Sequence, residues 1–156
     1  MSTPSPADFW RDTASRIIAD TTLDAVVYAD RSGVIRLWND AAETLFGHTA
    51  EAAVGQSLDL IIPEKHRGAH WHGWDRVMDT GVTRYGRDPL AAPGLRADGQ
   101  RVSLEFSITM LKDADGQIEG IAAVLRDVGT RWEKEKTLRA EIATLKELAG
   151  TADAQS

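Results

Sequence analysis

Two strand-like runs joined by a short turn, in the second half of the chain, constrain the fold more than any other feature. Apolar residues alternate with polar ones along residues 101–111, which is the period of two expected for a half-buried strand. Residues 113–116 then form a glycine-ended turn, and a second apolar run follows at 118–126. Because tight turns join antiparallel neighbours, the sequence predicts a mainly antiparallel sheet.

A second hairpin is predicted near the start of the chain. The strand-like runs 25–29 and 34–38 flank a turn that ends in Gly33. Asn39 then caps a short helix at 40–46, since asparagine is favoured at the position before the first helical turn. Strands followed by helices in this order indicate an α+β fold.

The longest internal helix is predicted at residues 64–80. Pro63 suits the start of a helix, and Gly81 suits its end. Residues 83–87 are a weak strand candidate. Residues 89–93 are expected to be a loop, because their two prolines lack the N–H group that a strand donates.

Both ends of the chain are predicted to be helical. Apolar residues recur near helical spacing after Asp8, in an N-terminal flank of residues 1–21. The C-terminal flank, residues 131–156, contains a charged helix at 131–148. Its apolar residues fall at spacings of four, three and four, and they are Leu138, Ile142, Leu145 and Ala149. This pattern favours a dimeric coiled coil over a single solvated helix.

Composition excludes several functions. The chain has no cysteine, which removes disulfides, thiolate metal sites, c-type haem attachment and cysteinyl photoadducts. A net charge of −6 without a basic cluster argues against nucleic acid as a partner.

No apolar run is long enough to span a membrane and no secretory signal is present, so a cytoplasmic location is expected. Nucleophile elbows and phosphate loops are absent, which predicts a protein that is not an enzyme.

Three segments carry a family resemblance. They are the run from Trp38 to Gly47, Ala97-Asp98-Gly99 before the long strand, and Leu125-Arg126-Asp127-Val128 before the last helix. In this order and spacing they resemble a PAS domain over residues 22–130. The resemblance implies a five-stranded antiparallel sheet with helices on one face and a small-molecule cavity between them.

The predicted long helix contains three of the four histidines of the chain. A lone helical histidine is more often solvated or packed in a core than bound to metal. His66 and His70 lie one turn apart, but no cluster of carboxylates or cysteines completes a tetrahedral metal site. The pattern Pro63, Arg67, His70 resembles the haem-ligating helix of PAS sensors of the FixL and direct-oxygen-sensor types.

That resemblance implies a haem b site with His70 as the ligand of the iron. It places Arg76 and Arg84 near the haem propionates. The implied distal wall is apolar and consists of Leu104, Phe106 and Ile108.

The polar group that stabilises bound oxygen in those sensors has no counterpart at the matching positions of this sequence. The arginine position is occupied by Leu90, and a possible methionine ligand position by Asp88. Oxygen is then held poorly unless Tyr85 or Arg87 supplies a donor, which leaves carbon monoxide, nitric oxide or a redox change as signals.

Three functions follow as alternatives. The first is a haem-based sensor of a diatomic gas or redox state that signals as a homodimer, through its N- and C-terminal helices, to a downstream protein. The second is a PAS interaction module with no ligand, in which Trp74 fills the cavity. The third is a sensor of FAD or another small ligand.

Overall fold

Five strands form one antiparallel sheet in the order β2-β1-β5-β4-β3. The computed structural model describes residues 5–83 and 88–155. The strands are β1 (Ala25–Asp30), β2 (Ile35–Trp38), β3 (Leu90–Leu95), β4 (Arg101–Lys112) and β5 (Ile118–Asp127). The helices are α1 (Pro6–Asp20), α2 (Asp40–Phe46), α3 (Ala50–Ala53), a 3₁₀ helix (Leu58–Ile61), α4 (Glu64–Thr80) and α5 (Gly129–Ala154).

Both predicted hairpins are confirmed. Strands β1 and β2 pair antiparallel, as do β4 and β5. The first and last strands also lie side by side, with Ala25 opposite Leu125 and Ala29 opposite Ile121. The central pairing of β1 with β5 therefore brings the two ends of the domain together.

The prediction of a loop at residues 89–93 is wrong, because β3 begins at Leu90 and includes Pro93. Pro93 lies opposite Ser103 of β4, and β3 is the last strand of the sheet. An edge strand has a neighbour on one side only, so it tolerates a residue that cannot donate a hydrogen bond. Of the weak strand candidate at 83–87, residues 84–87 lie outside the described part of the chain.

The core lies between the sheet and the helices that follow β2. Alternate residues of β1 are buried, namely Ala25, Val27 and Ala29. Helix α2 contributes Ala41, Ala42 and Phe46, and Phe46 packs against Trp38 with ring centroids 5.3 Å apart. The apolar side of the sheet is thus covered by helices.

The side chain of Asn39 connects three elements, namely α1, β1 and α2. Its Oδ1 accepts hydrogen bonds from the backbone N–H groups of Val26 and Ala42, at 2.8 and 3.0 Å. Its Nδ2 donates to the carbonyl oxygens of Ile18 and Asp24, both at 3.0 Å. The predicted helix cap is confirmed, and the same side chain also holds the end of α1 and the start of β1.

The two flanking helices lie largely outside this core, and none of the residues described in α1 or α5 is buried. An ion pair between Asp24 and Arg126 ties the segment after α1 to the end of β5. Across the described residues, no helix combines the length and apolar character needed to cross a bilayer.

Replacing Asn39 with alanine should lower the free energy of unfolding by about 2–4 kcal/mol. The cap contributes about 1 kcal/mol, and each buried backbone group left without a partner costs about 1–3 kcal/mol. Urea denaturation measures this loss.

The matched control is Thr49→Ala, which removes an exposed cap whose hydroxyl oxygen accepts only from the Ala52 N–H. This control should cost about 0.5–1 kcal/mol. Equal losses in the two variants would contradict the role of Asn39 as a junction.

Candidate ligand-binding site

Helix α4 is anchored at its first turns by Arg67. The guanidinium of Arg67 donates to the carbonyl oxygens of Ile62 and Asp59, at 3.0 and 3.1 Å. These bonds join the helix to the 3₁₀ segment just before it. The arginine of the Pro63, Arg67, His70 pattern therefore positions the helix that carries the histidine.

Two tryptophans fix α4 to the first hairpin and to the 3₁₀ helix. The Trp71 indole N–H donates to the carboxylate of Asp59 at 2.8 Å, and the Trp74 indole N–H donates to the Arg31 carbonyl at 3.1 Å. The Trp71 ring also lies against Gly33, where φ is 77° and a Cβ would collide with the ring. Glycine at the turn thus serves both the backbone conformation and the close approach of α4.

A cavity of about 270 Å³ lies between α4 and the sheet. Its lining is mainly apolar and comes from α4, from β3 to β5 and from the segment after α4. The residues are Ala69, His70, Gly73, Trp74, Val77, Thr83, Leu90, Ala91, Ala92, Phe106, Ile108 and Ile121.

His70 is the titratable group of this lining. Its ring packs against two indoles, with centroids 4.7 Å from Trp71 and 5.9 Å from Trp74. Burial lowers the pKa of His70 below its ordinary value, although the Asp59 carboxylate opposes the shift. The shift favours the neutral imidazole, which is the form that binds metals.

The Nδ1 atom of His70 is buried and has no hydrogen-bond partner within the described residues. Buried polar atoms are rarely left unpaired, because the lost hydrogen bond to water is not replaced. This nitrogen has almost no accessible surface, so a ligand in the cavity would meet another atom of the His70 side chain. An unpaired buried nitrogen on a cavity-lining side chain nevertheless marks His70 as a candidate functional residue.

The structure brings several predicted site residues together. Leu90 pairs with Phe106 across β3 and β4, and both line the cavity with His70 and Ile108. Leu104 is buried beside this group, where its side chain packs over Gly94 of β3.

Arg76, another predicted site residue, does not line the cavity. Arg76 is on the exposed side of α4, with its guanidinium 3.0 Å from Nε2 of His72. Arg84, Tyr85 and Arg87 lie outside the described residues.

Sequence reasoning missed much of the helical side of the cavity. Gly73 and Val77 lie three and seven residues after His70, which places them on the same face of the helix. That spacing was a signal available in the sequence. Ala91 and Ala92 carried no such signal, because their segment was predicted to be a loop.

The described side chains do not by themselves provide a full set of metal ligands. No cluster of three or more His, Asp or Glu side chains suited to a metal occurs among residues 5–83 and 88–155. A single neutral histidine with an apolar cavity suits a metal held by its own organic macrocycle, such as haem.

The chain is similar in sequence to two known sensor proteins. The Sensor protein FixL of Bradyrhizobium diazoefficiens is 33% identical over 98 residues, covering 63% of this chain and 19% of FixL. The Oxygen sensor protein DosP of Escherichia coli is 26% identical over 118 residues, covering 75% of this chain and 14% of DosP. The chain thus spans less than a fifth of the length of either protein.

Solved structures share the fold. An RNA-binding light-oxygen-voltage receptor superposes with a TM-score of 0.68 at 20% identity, covering 94% of this chain and 41% of the receptor. A family model described as PAS fold matches residues 19–133. The chain therefore belongs to the PAS family of sensory domains.

Proposed function

We propose that this PAS domain is a sensor that binds haem b through His70 and responds to a diatomic gas or a redox change. The observation that carries the proposal is the position of His70 in the cavity lining, with a buried nitrogen that lacks a partner in the described chain. Burial lowers the pKa of His70, which favours the neutral imidazole that binds metals. The similarity to FixL and to an oxygen sensor protein supports the same reading.

The residues around His70 suit this role. If bound there through His70, haem would supply an iron able to take up a diatomic gas. On the protein side, Leu90, Phe106 and Ile108 make the facing wall apolar and exclude water. None of these three side chains donates a hydrogen bond, so this wall gives a bound gas no polar stabilisation.

The size of the cavity sets a condition on this proposal. At about 270 Å³ it lies just below the roughly 300–1,000 Å³ typical of small-molecule pockets. Haem therefore requires α4 to move outward from β3 and β4. The same limit on cavity volume applies to FAD.

The small cavity also favours the second candidate, an interaction module that binds a smaller ligand or none. In that case buried Trp74 occupies part of the space.

The signal is proposed to leave through β4 and α5. Phe106 lines the cavity, and the adjacent Glu105 accepts a hydrogen bond from the Arg131 guanidinium of α5 at 2.6 Å. A shift of β4 at the cavity therefore changes the position of the first turn of α5. We propose that α1 and α5 act in a homodimer and pass this change to a downstream signalling protein, and that the domain itself catalyses no reaction.

Replacing His70 with alanine should abolish the haem Soret band of protein reconstituted with haem b. The matched control is His72→Ala on the same helix, because His72 is exposed and outside the cavity lining. It should retain the band. A Soret band unaltered by His70→Ala contradicts the proposed ligand.

Filling the cavity from Gly73 should separate ligand binding from folding. A Cβ added at Gly73 meets no other atom within 4 Å, and the same is true of exposed Gly68 on the same helix. Gly73→Leu should therefore fold but lose haem binding, whereas Gly68→Leu should fold and retain it. Titration of each apoprotein with haem, followed by absorption, measures the difference.

If both variants bind haem as tightly as the original chain, the cavity beside Gly73 is not the haem site. Thermal unfolding of the two apoproteins serves as the folding control. A glycine replaced by leucine inside a helix should raise stability by up to about 1 kcal/mol when it meets no obstacle.

A further inference from the structure

A row of charged side chains crosses the sheet where both flanking helices join the domain. Glu105 of β4 lies directly opposite Arg126 of β5. Because Ala25 is opposite Leu125, the residue just before β1, Asp24, lies in line with Arg126. Asp24, Arg126 and Glu105 are therefore neighbours that alternate in sign.

Each end of this row holds one flanking helix. The Arg126 guanidinium donates to both carboxylate oxygens of Asp24, which lies in the short segment between α1 and β1. Glu105 accepts from the Arg131 guanidinium, in the first turn of α5, at 2.6 Å. Across β3, Glu105 faces Ala91, which carries no charge. Arg126 and Arg131 are thus the two cations beside Glu105 in this part of the described chain.

Arg126 is close enough to Glu105 to change partners. Residues directly opposite each other in an antiparallel pair have Cβ atoms about 4.5–5.5 Å apart, which is within the reach of an arginine side chain. The hydrogen bond with Asp24 raises the pKa of Arg126 above its ordinary value, and the nearby charge of Glu105 adds to this shift. While Asp24 holds Arg126, the Glu105 carboxylate is left for Arg131.

We propose that the segment after α1 controls how firmly α5 is held, through competition of Arg126 and Arg131 for Glu105. When α1 draws Asp24 away from the sheet, Arg126 turns to Glu105 and the first turn of α5 loses its ion pair with β4. The domain then has a second input, because a displacement of α1 reaches α5 without passing through the cavity. This inference extends the proposed path of the signal through Glu105 and Arg131, and it does not require haem.

Amide hydrogen exchange of the apoprotein tests the competition. Asp24→Asn should speed the exchange of amides 132–136 by about two- to fivefold, which is the usual effect of one exposed ion pair. Asp24→Asn combined with Arg126→Gln should exchange at the original rate, because the competing guanidinium is gone. In about 1 M salt the two variants and the original chain should converge, since charges are then screened beyond about 3 Å.

The matched control is Asp20→Asn, which removes the same charge from the exposed end of α1. None of the ion pairs among the described residues includes Asp20. This control should leave the exchange of α5 unchanged. Exchange of the β4 amides in each variant reports whether the fold as a whole is affected.

Three results would overturn the proposal. The first is unchanged exchange of α5 in Asp24→Asn. The second is an equal rise in the double variant, because α5 would then respond to Asp24 without Arg126. The third is a rise of the same size in β4, which would mean a general loss of stability. No haem is present in these samples, so failure of the haem proposal leaves the result readable.

Discussion

The hydrogen bonds of two indoles hold α4 over the sheet, and the candidate site depends on them. Trp71 is bonded to Asp59, and Trp74 to the Arg31 carbonyl in the first hairpin. These bonds fix the middle of α4 beside the 3₁₀ helix and the first hairpin, and the helix does not close onto β3 and β4. The space left between them is the cavity, and His70 is placed at its wall by its position one turn before Trp74 on the same helix.

The site also has a cost in stability. A buried nitrogen without a partner costs about 1–3 kcal/mol, and a cavity forgoes the packing that a filled core would supply. A domain under selection for stability alone would be expected to fill the space beside Gly73 and to pair or replace His70. These two features occur together at one place, which is consistent with the proposal of a ligand site made above.

Much of the fold could be predicted because the signals are local. Alternation identified β4, the apolar run after the turn identified β5, and Asn39 identified the start of α2. The strand β3 could not be identified, because Pro93 is acceptable only at the edge of the sheet and strand order is a tertiary property. The site was predictable on the helix through His70, and much less so on β3. Haem itself, and the roles of Arg76, Arg84 and Tyr85, stay predictions.

Chemical rescue tests the central claim most directly. In His70→Gly reconstituted with haem b, the side chain is removed while the space it occupied remains, so free imidazole can enter and take its place. The account predicts that the Soret band is lost in this variant and returns when imidazole is added, at concentrations that leave the spectrum of free haem in the same buffer distinguishable. A variant that keeps the original spectrum without imidazole, or gains no protein-bound haem with it, would contradict His70 as the ligand.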